Sequence, residues 1–317
     1  MRRTNLLITG VGGDIAQGII KCLREMRRSF YIVGSDIDFY ASGRNMVEEF
    51  MHAPPASEKN EYISFIDDII AKYDINYIYP TSEVEILFFH NHRSRFSKKD
   101  IKIFINKPFI VDTFFDKYKT VQFLKSAKIP YPDTFLVSEY NNQLSYPIIL
   151  KSRKTVDSKE IVKVNNSDEF NFYKCRIPEA MAQEYMGSEE EEYTACVFSD
   201  GRQSRSIAFK RKLGYSSLSK KVELVIDDRI NALTEKIAHD CNLAGSLNIQ
   251  LRKTDKGFVP FEINPRFSST VYFRNRFGFR DVKWWIDLFE GRPIKFQLKY
   301  KKGVGVRLLS EVFFELR

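Results

Sequence analysis

Phe258 to Arg266 reads FVPFEINPR, and the interpretation of the chain turns on this stretch. Glu262 and Asn264 alternate with Phe261 and Ile263, so a strand here turns both oxygen-bearing side chains to one face. The preceding run, Gly245 to Arg252 (GSLNIQLR), alternates in the same way. Leu247, Ile249 and Leu251 share one face, and Asn248, Gln250 and Arg252 share the other. Thr254, Asp255, Lys256 and Gly257 supply turn chemistry, so the two runs form a β-hairpin. With Lys253 opposite Gly257, Gln250 falls opposite Pro260, on the face that carries Glu262 and Asn264. A Gln, a Glu and an Asn on one surface suit Mg²⁺ or Mn²⁺, which take oxygen ligands and share them with phosphates. Arg266 lies just beyond, placed to meet a phosphate. Taken alone, the hairpin reads equally well as an ordinary edge with a solvated polar face.

The chain has 317 residues, enough for two or three domains with their own cores. Hydrophobic residues make up 43% and charged residues 29%, the balance of a globular protein. No apolar run approaches the roughly 20 residues of a membrane span. The opening MRRTNLLITG passes directly into a strand and a glycine turn, unlike a signal peptide. Cys22, Cys175, Cys196 and Cys241 are widely spaced, which argues against zinc and for a reducing, cytoplasmic setting. The net charge of +9 raises nucleic acid as a partner. The basic residues are dispersed, however, and no nucleic-acid module accompanies them, so anionic ligands such as nucleotides explain the charge as well.

Asn5 to Thr9, the glycines Gly10, Gly12 and Gly13, a helical pattern from Asp14 to Arg28, and Phe30 to Val33 followed by Asp36 form a Rossmann-like unit. Its glycine turn suits a dinucleotide, or only the tight packing of a helix on a strand. Asn76 to Tyr79 is a further strand. It runs into Thr81, Ser82 and Glu83, residues that line a crevice or, for Ser82 with Glu85, cap a helix. Asn106-Lys107-Pro108 ends this first domain. A helix follows over Phe109 to Ser126 and carries Lys117. Tyr146 to Lys151 is a strand that delivers Lys151 into a polar loop, Ser152 to Lys159, and Glu160 to Val164 returns. Of the four acids Glu189 to Glu192, only Glu192 enters the next strand in register. Gly303 to Leu316 reads as a closing strand.

Taken together, DKYKTVQFLKSAKIPYPDTF, YPIILKSRKTVDSKEIVKV, AQEYMGSEEEEYTACVF, GSLNIQL and FEINPRF resemble the ATP-grasp superfamily. The branch most similar is that of the synthetase domains of the carbamoyl-phosphate synthase large subunit. The resemblance implies an α/β chain: a Rossmann-like pre-ATP-grasp domain over residues 1–108, then a two-subdomain α+β ATP-grasp fold over 109–317, divided into a nucleotide lid (109–182) and a larger catalytic part (183–317). It implies that Lys117 and Lys151 contact ATP phosphates, that Glu184, Tyr185 and Met186 cradle adenine, and that Glu192 binds ribose. It likewise makes Gln250, Glu262 and Asn264 ligands of Mg²⁺ (or Mn²⁺) and sets Arg266 against the transferred phosphate. In such enzymes the first domain helps form the acceptor site. Loop position alone assigns Glu83, Arg211 and Ser269 to it. One departure is that the loop after Lys151 lacks the glycines usual in the family. Arg153, Lys154 and Lys159 offer charge in place of backbone donors.

The activity implied is an ATP-dependent carboxylate–amine ligase that forms an acyl phosphate and releases ADP and phosphate. The partners implied are small-molecule carboxylates and amines, with neither nucleic acid nor membrane, and a homodimer is admitted because dimers are common among such enzymes. Two alternatives stand beside it: a non-catalytic ATP-binding module with the same fold, and an NAD(P) oxidoreductase built on the first glycine turn.

Overall fold

Strand β1 (Thr4–Thr9) is apolar on both faces because both are covered. Leu6 and Ile8 enter one core and Leu7 another, the pattern of a parallel strand sandwiched between helices. It leads through the glycine turn to α1 (Asp14–Arg24), β2 (Phe30–Asp36) and β3 (Glu49–His52). Next come α2 (Lys59–Tyr73), β4 (Tyr77–Tyr79), α3 (Glu83–Asn91), α4 (Arg93–Ser97) and β5 (Lys102–Ile103). The strands form a parallel sheet in the order β3-β2-β1-β4-β5. The order reverses beside β1, so the carboxyl ends of β1 and β4 open onto a ligand crevice. The computed structural model describes residues 4–154, 161–214, 219–296, 302–308 and 310–314.

Beyond the first domain, the helix expected over Phe109–Ser126 is two: α5 (Pro108–Phe114) and α6 (Lys117–Ser126). The break is made by Asp116, whose carboxylate accepts from the Tyr118 and Lys119 amides at 3.1 Å and so starts a new helix. A small antiparallel sheet follows, built from β6 (Thr134–Leu136), β7 (Ile148–Ser152), β8 (Ile161–Val164) and, after α7 (Ser167–Tyr173), β9 (Ala180–Glu184), in the order β6-β9-β7-β8. The position 182/183 therefore falls inside β9. Helices α5 and α6 pack through Ile110, Phe114 and Leu124 into the core beneath the larger sheet.

That sheet holds β10 (Glu192–Asp200), β11 (Ser204–Leu213), β12 (Ser219–Val225), then after α8 (Asp228–Asp240) the pair β13 (Ala244–Thr254) and β14 (Gly257–Asn264). Helices α9 (Val271–Arg276) and α10 (Asp281–Phe289) and strand β15 (Val304–Val306) complete the order β14-β13-β10-β11-β12-β15. Of the expected closing strand, Val304–Val306 pair in register with β12, flanked by backbone bonds from Leu224 to Gly303 and from Arg307 to Lys220. Leu308 and Phe313, at 89% and 87% exposure, bury no face that would continue it. Residues 309, 315 and 316 of that run lie outside the described residues, as does residue 160 of the strand expected over Glu160 to Val164.

Both faces of β10 are covered. Cys196 and Phe198 point into a core shared with α1, α9, α10 and the first sheet. Tyr193, Ala195 and Val197 point into the α8 core. Under the sheet, Arg274 is fully buried and bonded through Nε and Nη2 to Asp281 at 3.0 and 2.7 Å. Removing one partner of such a pair strands the other charge, at about 3–5 kcal/mol. Arg274→Met is accordingly expected to lower stability by that amount in a urea titration, with part of the loss recovered when Asp281→Asn is added.

Candidate functional site

The hairpin has a tighter turn than the expected register required. Thr254, not Lys253, faces Gly257, because the Thr254 hydroxyl accepts from the Lys256 amide at 3.1 Å and closes a two-residue turn. Continued without interruption, this register would set Glu262 beside a core residue. The pairing shifts between Gln250 and Leu251, however: Leu251 faces Pro260, Gln250 faces Glu262, and Phe261 is the extra residue of a β-bulge. The bulge turns both Phe261 and Glu262 toward one cavity.

That cavity, about 640 Å³, lies between the two antiparallel sheets and reaches the first domain. Ile149, Lys151, Ile161, Gln183 and Glu184 line it from the small sheet. Thr194, Arg211, Asn248, Gln250, Arg252, Glu262 and Asn264 line it from the large one. Tyr185 and Met186 lie at the crossing between the sheets, where the Glu184 amide donates to the Asp133 carbonyl at 2.8 Å. The Tyr185 ring has the Lys163 ammonium 4.2 Å and the Arg252 guanidinium 5.4 Å from its centroid.

Glu192 begins β10 and is 6% exposed. Two arginines neutralise it: Arg211 through Nε at 2.8 Å and Nη2, and Arg252 through Nη2 at 3.1 Å. Arg252 also donates to the Met186 carbonyl at 3.1 Å. It was visible in the alternation of β13, but a polar face does not reveal which of its members bridges two segments. Arg211, assigned by loop position to the acceptor pocket, instead lies between Glu192 and Gln250, donating to Gln250 Oε1 at 2.7 Å. Gln250 Nε2 donates to Glu262 Oε1 at 3.1 Å, and Asn264 Nδ2 donates to the same oxygen at 2.8 Å. Gln250, Glu262 and Asn264 are thus together, with the Gln250 oxygen turned to Arg211.

Lys117 starts α6 and Lys151 is the last residue but one of β7, and the loop that leaves β7 couples them. The Lys117 amide donates to the Arg153 carbonyl at 3.1 Å, while Arg153 Nε holds Asp116 at 2.8 Å. Residues 155–160 of this loop, Lys159 among them, lie outside the described residues. Lys151 is 4% exposed, and burial lowers its ammonium to about 8. Glu262 opposes that shift, and Lys117 and Arg252 add to it.

At the far end, Arg266 donates to Glu83 Oε1 through Nη2 at 2.8 Å. Burial raises the Glu83 carboxyl against the pull of Arg266 and Lys117. Ser268, Ser269 and Asp14 complete the wall. Ser82 caps α3 by accepting from the Glu85 amide at 3.3 Å, leaving Glu83 to face the cavity. Asp14 was not singled out in the sequence, because it reads there as an ordinary first-turn acid.

The family described as ATP-grasp domain matches residues 114–270, and the PylC-like N-terminal domain matches residues 6–104. The chain carries an ATP-grasp domain behind a PylC-like N-terminal domain, and the α/β fold class expected from the sequence stands. Three solved structures share the fold. N5-carboxyaminoimidazole synthetase from Staphylococcus aureus, complexed with ADP, is 17% identical, with a TM-score of 0.76, 98% of this chain and 83% of that one covered. The biotin carboxylase domain dimer of Hydrogenobacter thermophilus 2-oxoglutarate carboxylase, in complex with MgADP, ADP and bicarbonate, is 15% identical (TM-score 0.76; 96% and 74% covered). L-amino acid ligase from Bacillus licheniformis is 12% identical (TM-score 0.71; 92% and 75% covered). No curated protein is significantly similar in sequence.

The charge state of Lys151 yields a test. A phosphate beside its ammonium raises its pKa, so binding takes up a proton above about 8 and affinity falls as pH rises through that value. Calorimetric titration with ADP is expected to show about a tenfold loss of affinity between roughly pH 7 and 9. In Lys151→Met this pH dependence should disappear, with affinity about ten- to hundredfold weaker at the lower pH.

Proposed function

We propose that the protein is an ATP-dependent carboxylate–amine ligase that joins a small-molecule carboxylate to an amine through an acyl phosphate, releasing ADP and phosphate. One observation carries this reading: the adenine segment, Lys151, Lys117, the Glu262 cluster, Arg266 and the first-domain residues line one cavity. Electrostatic neighbours tie them together, since Lys151 responds to Glu262, Lys117 and Arg252, while Glu83 responds to Arg266, Glu262 and Lys117.

In this reading Glu184, Tyr185 and Met186 receive adenine and Glu192 the ribose hydroxyls, so ribose competes with Arg211 and Arg252 for that carboxylate. Lys117 and Lys151 hold the phosphates. The donor set fits Mg²⁺: Glu262 Oε1 is spent on two amide groups, leaving its second oxygen and that of Asn264 toward a hard cation, with Gln250 as a third ligand only where it leaves Arg211. No group of three or more His, Cys, Asp or Glu among the described residues is placed to hold a metal, so the cation must share its coordination with phosphates, as Mg²⁺ does. When bound, Mg²⁺ would offset charge on the phosphates and polarise the transferred group. Arg266 would stabilise that group as a substrate carboxylate attacks the γ-phosphorus, breaking its bond to ADP. The amine nitrogen then attacks the acyl carbon, and phosphate leaves.

Glu83 and Ser269 belong to the acceptor pocket in this proposal, and Arg211 to the nucleotide end. A cytoplasmic setting and a homodimer belong to it as well: Cys22, Cys175, Cys196 and Cys241 are unpaired, and no helix among the described residues is long and apolar enough to cross a membrane. The second reading, a non-catalytic ATP-binding module, draws on the phosphate loop, where Arg153 is paired with Asp116 and Lys154 with Glu179 rather than directed at a ligand. ADP release measured across a panel of carboxylates and amines separates the two. Ligation requires release dependent on both substrates, and Mg-ATP binding without it supports the module. Glu262→Gln is expected to weaken Mn²⁺ binding in the presence of ADP by at least about tenfold to hundredfold and to suppress turnover. Full turnover in that variant removes Glu262 from the metal.

A further inference from the structure

Asp14 occupies the cavity end that the nucleotide residues do not reach. It is the first residue of α1, delivered by the glycine turn to the same wall as Ser268, Ser269, Glu83 and Arg266. Its Oδ2 is buried and accepts no hydrogen bond. The nearest cation, Arg307 Nη2, lies 3.4 Å away. That guanidinium is committed elsewhere, donating through Nη2 to the Ser269 carbonyl at 2.7 Å and through Nε to the Ser219 carbonyl at 3.3 Å. The neighbouring acid, Glu83, is satisfied by Arg266. Asp14 Oδ2 is therefore a carboxylate oxygen in the ligand cavity that has an ion-pair partner at 3.4 Å but takes no hydrogen bond, so a ligand N–H placed there would find an open acceptor.

The ligand that answers it carries N–H donors and positive charge. We propose that Asp14 is the amine-side residue of the acceptor subsite, where its carboxylate binds the ammonium of a primary-amine substrate and takes the proton that must leave before attack. This rests on the ligase reading above. The step balances: the ammonium gives one proton to Asp14, leaving a neutral amine and a carboxylic acid. The nitrogen lone pair then forms the C–N bond as the acyl C–O bond to phosphate breaks, and the second N–H proton leaves with the phosphate. Burial raises the Asp14 carboxyl, which suits it to accept that proton despite the opposing Arg307 and Arg266.

Hydroxylamine separates this role from a structural one, since near neutral pH it attacks acyl phosphates as an uncharged nucleophile and needs no base to free it. Wild-type protein and Asp14→Asn are compared with ATP and a carboxylate panel, first with hydroxylamine, reading hydroxamate, then with ammonium and a panel of L-amino acids and alkylamines, reading ADP and amide. The expected result is hydroxamate formation within about threefold of wild type, with amide formation reduced by about a hundredfold or more. The deficit should shrink as rising pH supplies free amine. Equal loss of both products, or of neither, overturns the proposal. Wild-type protein that makes hydroxamate but accepts no amine overturns the amine assignment alone. Absence of hydroxamate with every carboxylate overturns the ligase reading and this proposal with it.

Discussion

The buried Arg274–Asp281 pair is the constraint on which the geometry of the cavity depends. Its groups reach two other parts of the chain. Asp281 Oδ2 accepts from Ser246 Oγ on β13 at 2.9 Å, and Arg274 Nη1 donates to Ser268 Oγ at 3.0 Å, in the segment that follows Arg266. One pair thus seats α9 and α10 on the sheet and sets the path of the chain leaving the FEINPR stretch. Burying two charges is a weak source of net stability, and apolar residues of the same volume often serve as well. The pair instead contributes a single arrangement, because each of its polar atoms has partners only when these segments are in place.

The first domain is positioned by the same unit. Helix α1 lies on α9 so closely that a Cβ on Gly18 would come within 2.4 Å of Val271 Cγ1. On the other side of the contact, Asn106 is fully buried and donates to the Ser246 and Pro265 carbonyls at 2.8 and 2.9 Å. The crevice of the parallel sheet is therefore held against the end of β14, and Glu83 from α3 meets Arg266 from the hairpin. A site assembled across such an interface keeps its charges in register. Lys117, Lys151, Arg211, Arg252 and Arg266 bring five cations into one cavity, where Asp14, Glu83, Glu184 and Glu262 offset most of their charge.

What was legible in the sequence followed locality. The alternation of Gln250 with its neighbours, and of Glu262 with Asn264, is a period-2 signal set by the strands themselves, and it survives into the structure. The register between the strands did not survive, because a bulge at Phe261 is decided by the turn at one end and the core at the other, and the alternation of either strand records neither. Asp116 is a similar case: its capping of α6 divides a continuous helical pattern, and its pairing with Arg153 joins two distant segments. Arg211 and Arg252 share Glu192 only because β11 and β13 lie on either side of β10. No spacing along the chain carries that fact.

The glycine turn illustrates how the same residues change meaning once their partners are known. Read alone, Gly10, Gly12, Gly13 and Asp36 suit a dinucleotide, whose pyrophosphate would take backbone N–H groups of the turn and whose ribose would take the acid. In the fold the two halves of that site satisfy each other: the Gly12 amide donates to Asp36 Oδ2 at 2.8 Å, and Asp36 Oδ1 accepts from the Asp38 amide at 2.9 Å. A dinucleotide would have to break both bonds, so the third alternative, an NAD(P) oxidoreductase, loses its physical basis at the residues that suggested it. The turn's tightness has another consequence. By closing on Asp36 it fixes where α1 begins, and the first side chain of that helix is Asp14, brought into the cavity that the hairpin forms from the opposite side.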